Sequence, residues 1–194
     1  MPPGVTFQGV NTSMKKEAVA DAEVVRRILE GDKELFRLLV GRYGDVLYRH
    51  AHRMVGRSDV AADLVQSAFV KGYRDLDRCE PERVGGWLFR ILANLARDHL
   101  RDPRREMLGL EEIPVPTDTR RGPEEALEQA ELGRALKDAL QRLTPEQREA
   151  FVLKHHEGYS YQEIAEMLNV APAALKMRVH RARETLRELL ERAT

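Results

Sequence analysis

Basic side chains are concentrated in one segment near the C-terminal end of the 194-residue sequence, between Pro172 and Arg183. Lysine and arginine neutralise phosphate groups, and arginine also donates paired hydrogen bonds to the edges of bases. No acidic residue interrupts the segment before Glu184. Because the formal net charge of the chain is +0, any attraction for a nucleic acid must come from local stripes of this kind. The segment favours nucleic-acid recognition, and a solvated helix with an arginine-rich surface is the alternative.

A second basic strip is predicted in the middle of the chain. Arg90, Asn94, Arg97 and Arg101 fall on one narrow strip of a helix at about 100° per residue. The opposite side of this helix is apolar and carries Leu88, Ile91, Leu92 and Leu95. Trp87 and the glycine-bearing loop before it would be able to receive an unstacked base while the arginines hold phosphates. From the residues alone, however, Trp87 is more typical of a protein core.

Residues for enzymatic or metal chemistry are poorly arranged. The pairs His50 with His52 and His155 with His156 lack the four-residue spacing that puts two metal ligands on one helix face. Cys79 is the single cysteine and makes neither an internal disulfide nor a cysteine-rich zinc site. We therefore expect no catalytic residue, no metal and no cofactor. A metal-dependent nuclease built on His155 and His156 is a disfavoured alternative, and an incidental thiol is favoured over a redox-responsive one for Cys79.

Two capping boxes place the C-terminal basic segment in a helix-turn-helix. Thr144–Gln147 has the sequence TPEQ and Ser160–Glu163 has the sequence SYQE, and each pattern typically begins a helix. The second box starts a short helix, which a turn at Asn169–Ala171 separates from a longer one. Pro172 opens the longer helix, because proline's missing N–H costs no hydrogen bond in a first turn. In this motif the second helix lies in the major groove of DNA.

Length and composition predict an all-α protein made of two small helical domains. Hydrophobic residues make up 42% of the chain, charged residues 33% and aromatic residues 6%, a balance that favours amphipathic helices over strands. The predicted parts are a disordered leader at 1–18, a first domain at 19–102, a flexible linker at 103–130 and a second domain at 131–194. No segment reaches the roughly 18 apolar residues of a membrane span. We therefore expect a cytoplasmic protein without membrane insertion.

Three stretches together resemble the sigma factors of bacterial RNA polymerase, specifically the extracytoplasmic-function type. They are DLVQSAFVKGYR at Asp63–Arg74, WLFRILANLARDHLR at Trp87–Arg101, and LTPEQREAFVLKHHEGYSYQEIAEMLNV followed by LKMRVHRARETLRE. The resemblance covers the chain from about Asp21 to Leu190, and the three stretches in this order are highly specific. It implies a dissociable subunit with sigma regions 2 and 4, which binds core RNA polymerase, directs it to promoters and helps to melt the -10 region.

The resemblance also implies which residues make these contacts. Core polymerase would be bound by Asp63, Leu64, Val65, Gln66 and Phe69. The -10 promoter element would be read by Arg74, Trp87, Arg90, Asn94, Arg97 and Arg101, together with the loop at 79–86. The -35 element would be read by Pro172, Ala173, Ala174, Lys176, Met177, Arg178, His180, Arg181 and Arg183. Because relatives are often held inactive by an anti-sigma protein, such a partner is expected too.

The start of the predicted recognition helix departs from the usual pattern of the family. It has Ala174, Leu175 and Met177 where relatives commonly carry Thr, Val and Ser. We expect poorer hydrogen bonding to bases there and more apolar contact, for example with thymine methyl groups. A stand-alone helix-turn-helix regulator is the alternative function, but it leaves the first domain without a task.

Overall fold

The computed structural model describes residues 21–102 and, further along the chain, residues 133, 135, 136 and 138–191. The predicted leader and linker lie outside these residues. All regular elements in the described ranges are helical, as the composition predicted. The N-terminal unit (21–102) contains α1 (21–29), α2 (Phe36–Val55), α3 (Ser58–Arg74) and α4 (Val84–Arg101). The C-terminal unit (133–191) contains α5, which ends at residue 141, α6 (Pro145–Phe151), α7 (Tyr161–Leu168) and α8 (Pro172–Glu191).

The N-terminal unit is a bundle in which α2, α3 and α4 pack against one another. Apolar residues at three- and four-residue steps face inward, and the fully buried ones include Leu39, Leu47, Met54, Leu88 and Leu92. Helix α2 ends at Gly56, whose φ of 73° is a left-handed conformation that glycine adopts readily. None of the described helices combines the length and apolarity needed to cross a membrane.

The loop before α4 is shorter than the sequence predicts. We expected a loop through Gly86, but α4 already begins at Val84, after short 3-10 turns at Leu76–Arg78 and Pro81–Arg83. Gly85 is therefore a helical residue, and its role is close packing rather than a turn. A Cβ atom added at Gly85 would lie 2.6 Å from the Tyr43 ring, so the absence of a side chain lets α4 approach α2.

The C-terminal unit confirms both capping boxes. The backbone N–H of Gln147 donates to Oγ1 of Thr144 at 3.3 Å, and that of Glu163 donates to Oγ of Ser160 at 3.2 Å. Both reciprocal bonds to the cap backbones are also formed, at 3.1 and 2.8 Å. Asn169, with a φ of 54°, ends α7 and makes the turn into α8. The inner face of α8 is buried at Leu175, Val179, Ala182 and Leu186.

The two units pack against each other, a contact that the sequence did not predict. Helix α4 contacts both α6 and α7, and α2 contacts α6. Buried residues of both units, such as Leu88 and Phe89 from one and Leu153 and Ile164 from the other, belong to one continuous apolar cluster. As a result α4 is covered on two sides, by its own bundle and by the C-terminal unit.

Candidate nucleic-acid interface

Helix α8 presents nearly all of its predicted DNA-binding residues to solvent. The exposed members of this set are Pro172, Ala173, Ala174, Lys176, Met177, His180, Arg181 and Arg183. Arg178 differs, because it is half-buried and its Nη1 atom is buried without a hydrogen-bond partner among the described residues. The exposed residues lie on the side of α8 opposite the Leu175 stripe, so they form a surface that can enter a groove of DNA.

An aromatic ring from α7 lies beside this surface. The ammonium groups of Lys154 and Lys176 lie 5.0 and 6.0 Å from the centre of the Tyr161 ring. Cations at these distances are attracted to the face of an aromatic ring. Tyr161 therefore lies close to Lys176, one of the predicted DNA contacts, near the start of α8. No local pattern distinguishes Tyr161, because its contact with Lys176 depends on how α7 packs against α8.

The basic strip of α4 is only partly open to solvent. Asn94 is exposed and Arg90 is half-buried, as is Trp87, which packs against the core. The Arg97 side chain is 15% exposed, and its guanidinium lies 3.6 Å from the buried carboxylate of Glu149 in α6. Arg101 is exposed but hydrogen-bonds Glu146 of α6. Two of the predicted DNA contacts are thus ion-paired to the C-terminal unit.

Arg74, the remaining member of the predicted -10 set, is exposed at the end of α3. Its Nε donates to the carboxylate of Asp75 at 3.1 Å, and this hydrogen bond lowers the pKa of Asp75 and raises that of Arg74. The Arg74 side chain is 72% exposed and that of Asp75 is 22% exposed, so the guanidinium can be reached by another anion from solvent.

The predicted polymerase-binding residues divide between the surface of α3 and the core. Asp63 and Gln66 are exposed and Val65 is half-buried. Leu64 and Phe69 are buried, and the ring of Phe69 meets the edge of Phe36 at 6.3 Å between ring centres. The exposed face of α3 continues instead through Val70 and Tyr73, which are 63% and 41% exposed. The three- and four-residue steps from Asp63 through Gln66 and Val70 to Tyr73 were the signal in the sequence that could have identified them.

Cys79 and the pair His155 and His156 differ in their surroundings. Cys79 is buried in the loop before α4, and burial raises the pKa of its thiol to about 12, so the reactive thiolate is disfavoured. Its S–H donates to the backbone oxygen of Glu80 at 3.3 Å. His155 and His156 are exposed, and within the described residues no group of three His, Cys, Asp or Glu side chains is placed to hold a metal ion.

An exposed basic helix in a capped helix-turn-helix, next to a helical bundle with a second basic strip, defines a two-unit DNA-binding transcription protein. Residues 39–106 match the family described as Sigma-70 region 2, and residues 133–186 match Sigma-70, region 4. The RNA polymerase sigma factor CarQ of Myxococcus xanthus is 36% identical over 167 residues, which cover 86% of this chain and 95% of that protein. The ECF RNA polymerase sigma factor SigE of Mycolicibacterium smegmatis is 38% identical over 157 residues, covering 78% of this chain and 60% of the longer SigE.

The chain belongs to the extracytoplasmic-function sigma factors, which bind core RNA polymerase and direct it to promoters to initiate transcription. This membership confirms the family that the sequence resembled, and it does not favour the alternative of a stand-alone regulator. Sigma factors are regulatory proteins.

Two solved structures share the fold. CnrH in complex with the cytosolic domain of CnrY matches with a TM-score of 0.63 and 30% identity, covering 90% of this chain and 99% of that one. RpoE in complex with the anti-sigma factor NepR, from Bartonella quintana, matches with a TM-score of 0.58 and 27% identity, covering 80% and 96%. Both matches cover most of this chain, so the likeness extends over both units.

Proposed function

We propose that the C-terminal unit, within a domain at 131–194, reads the -35 promoter element through α8. The observation that carries this proposal is the exposure of eight of the nine predicted contact residues on one helix, with no acidic side chain among them. Arg181 and Lys176 lie on different parts of this surface. In this proposal Arg181 contacts a base edge and Lys176 contacts a phosphate. Ala174 and Met177 offer only apolar contact, which favours thymine methyl groups as their neighbours.

The N-terminal unit, within a domain at 19–102, is proposed to hold and melt the -10 element. Arg74 and Arg90 supply positive charge, and Asn94 supplies an exposed amide for hydrogen bonding to a base or phosphate. Trp87 is half-buried, so one part of its indole faces the core while another part can stack on a base. Arg97 and Arg101 join this surface when they exchange their carboxylate partners for DNA.

The exposed face of α3 is proposed as the docking surface for core polymerase. Asp63, Gln66 and the exposed part of Val65 supply the contacts of the predicted set, and Leu64 and Phe69 support them from the core. Val70 and Tyr73 extend this face with exposed apolar surface, which is typical of a protein contact rather than a solvated helix.

An anti-sigma protein is proposed as a further partner. The support is the solved complex of the related RpoE with the anti-sigma factor NepR, to which this chain is similar in fold and sequence. Because its polymerase and promoter partners act together on DNA, we place the protein in the cytoplasm and assign it no catalytic activity of its own.

The proposed surfaces are tested by combining the purified chain with core polymerase and measuring core binding and run-off transcription from a candidate promoter. Gln66→Arg combined with Val70→Arg should weaken core binding, because two charges then replace neutral surface on the α3 face. Leu38→Arg combined with Val40→Arg is the matched control, since these two residues are exposed on α2. Equal core binding by the two double variants would contradict the α3 assignment.

A further inference from the structure

Helix α6 continues beyond Phe151 into one turn of π-helix, Val152–His156. Single turns of this kind are rare and are frequently found at functional sites. Its first two residues are buried, whereas His155 and His156 are exposed. The turn therefore has an inner side in the core of the C-terminal unit and an outer side that carries basic residues.

The outer side of this turn lies beside one basic flank of α8. Lys154 and Lys176 approach the same Tyr161 ring, so the turn is close to the start of α8. One residue further along the turn, His155 lies within range of the charge of Arg183. Lys176 and Arg183 are seven residues apart, which is about two turns along one face of α8. Because the turn has a neighbour at each of these positions, it lies alongside the flank that joins them.

The surroundings of His155 disfavour its protonated form in the absence of DNA. Its ring lies 4.9 Å from the ring of Phe151, measured between ring centres. Partial burial, and then the positive charges of Arg183 on α8 and Lys154 on the same turn, lower the pKa of His155 below its ordinary value. A phosphate against this surface would neutralise both cations and attract a proton to the imidazole. The pKa of His155 would therefore rise when DNA binds.

Two other exposed histidines nearby have a carboxylate as a neighbour. The charge of His156 acts on Glu157, and this effect helps to lower the pKa of that carboxyl. On α8 itself, Nε2 of His180 lies 3.3 Å from the carboxylate of Glu184. Among the described residues, the charges that act on His155 are both positive. His155 therefore differs from these two histidines in lying where an added anion would change its protonation most.

We propose that the π-helical turn is a second element of the DNA interface and that His155 contacts a backbone phosphate there as a protonated imidazole. The contact takes up one proton when DNA binds, so promoter affinity increases as the pH falls below neutral. Because the phosphate backbone is the same for every sequence, His155 adds affinity without adding discrimination between bases. The proposal rests on the -35 role proposed above for α8.

The test measures binding of the assembled holoenzyme to a fluorescent promoter duplex from pH 8 to pH 6 at constant ionic strength. His155→Gln removes the titrating group, His155→Lys supplies a permanent cation, and His156→Gln is the matched control at the neighbouring exposed histidine. Between pH 8 and pH 6, the affinity of the wild type and of His156→Gln should rise about threefold more than that of His155→Gln. His155→Lys should bind about threefold more tightly than the wild type at pH 8 and then follow the pH dependence of His155→Gln.

The salt dependence of binding gives a second measurement. At pH 6 the slope of log affinity against log salt concentration should be steeper for the wild type than for His155→Gln by about one phosphate contact. At pH 8 the two slopes should agree, because His155 is then neutral in both the free and the bound protein.

An equal rise in affinity for the wild type and His155→Gln would overturn the proposal, and so would an equal loss of this rise in His156→Gln. Failure of the underlying role of α8 is recognised separately at pH 8, where Arg181→Ala should weaken promoter binding. If Arg181→Ala binds like the wild type, α8 lacks the proposed role, and the proposal for the adjacent turn fails with it. If Arg181→Ala weakens binding but His155→Gln keeps the full pH dependence, the His155 contact alone is refuted.

Discussion

Replacing Arg148 should cost more stability than any other single arginine substitution on the C-terminal unit. Its guanidinium is buried and donates from Nε to the backbone oxygen of Leu140 and from Nη2 to that of Gln141, both at 2.8 Å. It also donates from Nη1 to the backbone oxygen of Met54 in the N-terminal unit. These oxygens lie at the ends of α5 and α2, where carbonyl groups lack partners within their own helix.

The magnitude follows from two opposing quantities. Hydrogen bonds to a charged donor contribute about 1.5–3 kcal/mol each, so three contribute about 5–9 kcal/mol. Burial lowers the pKa of Arg148 from its ordinary value to about 10, a cost of about 3 kcal/mol to the charged form. The difference between the two is about 2–6 kcal/mol, and we expect Arg148→Ala to lower the free energy of unfolding by this amount. Arg142→Ala, at an exposed neighbour, should change it by less than about 0.5 kcal/mol.

Urea unfolding at pH 7 provides the assay, followed by circular dichroism for all helices and by the fluorescence of Trp87, the single tryptophan, for the N-terminal unit. Arg148→Lys should fall between the wild type and Arg148→Ala, since one ammonium cannot reach three oxygens in different directions. A loss below about 1 kcal/mol for Arg148→Ala, or full stability in Arg148→Lys, would refute the reasoning.

Three further outcomes are expected. Ser160→Ala should lower the free energy of unfolding by about 1 kcal/mol in the same urea assay, because it removes the cap of α7; no change would mean that the cap is not formed. In holoenzyme binding to a set of -35 variants, Arg181→Ala should cost about 1–3 kcal/mol and relax discrimination at one base, whereas Lys176→Ala should weaken all sequences alike and lower the salt slope. Burial alone would raise the pKa of Glu157, but the hydrogen bond and charge of His50 lower it below its ordinary value. Its contribution is therefore present at neutral pH and lost as the pH falls, so the stability difference between the wild type and Glu157→Gln should shrink from about pH 5 to 3, and a constant difference would contradict this.

Local features of the C-terminal unit could be predicted because they depend on residues that are close together in the sequence. A capping box needs only four residues, and both boxes form as the sequence indicated. The buried stripe of α8 follows from helical periodicity, so the exposed positions on its other side could be named in advance. Arg178 is the exception among them, since its burial depends on neighbouring helices rather than on its place in α8.

The predicted division of α4 into one apolar and one basic side was incomplete. Phe89, Ala93 and Ala96 of α4 are also buried, outside the predicted apolar side. Two of these three residues are alanines, which give a weak hydrophobic signal because alanine is common on exposed and buried helix faces alike. The burial of His50, Arg148 and Glu149 could not be predicted either, since charged residues in a sequence ordinarily indicate solvent. Their burial arises from packing between units, which involves residues about 100 positions apart and leaves no local periodicity.

The positions of the charges in the structure explain how a chain without net charge can present basic surfaces. A sequence with a formal net charge of +0 can still bind DNA if its cations and anions lie on different surfaces, as on α8, where no acid precedes Glu184. On α4 the opposite holds, because Arg97 and Arg101 face carboxylates across the contact between the units. Separating the units would therefore raise the positive potential of α4 without changing the net charge.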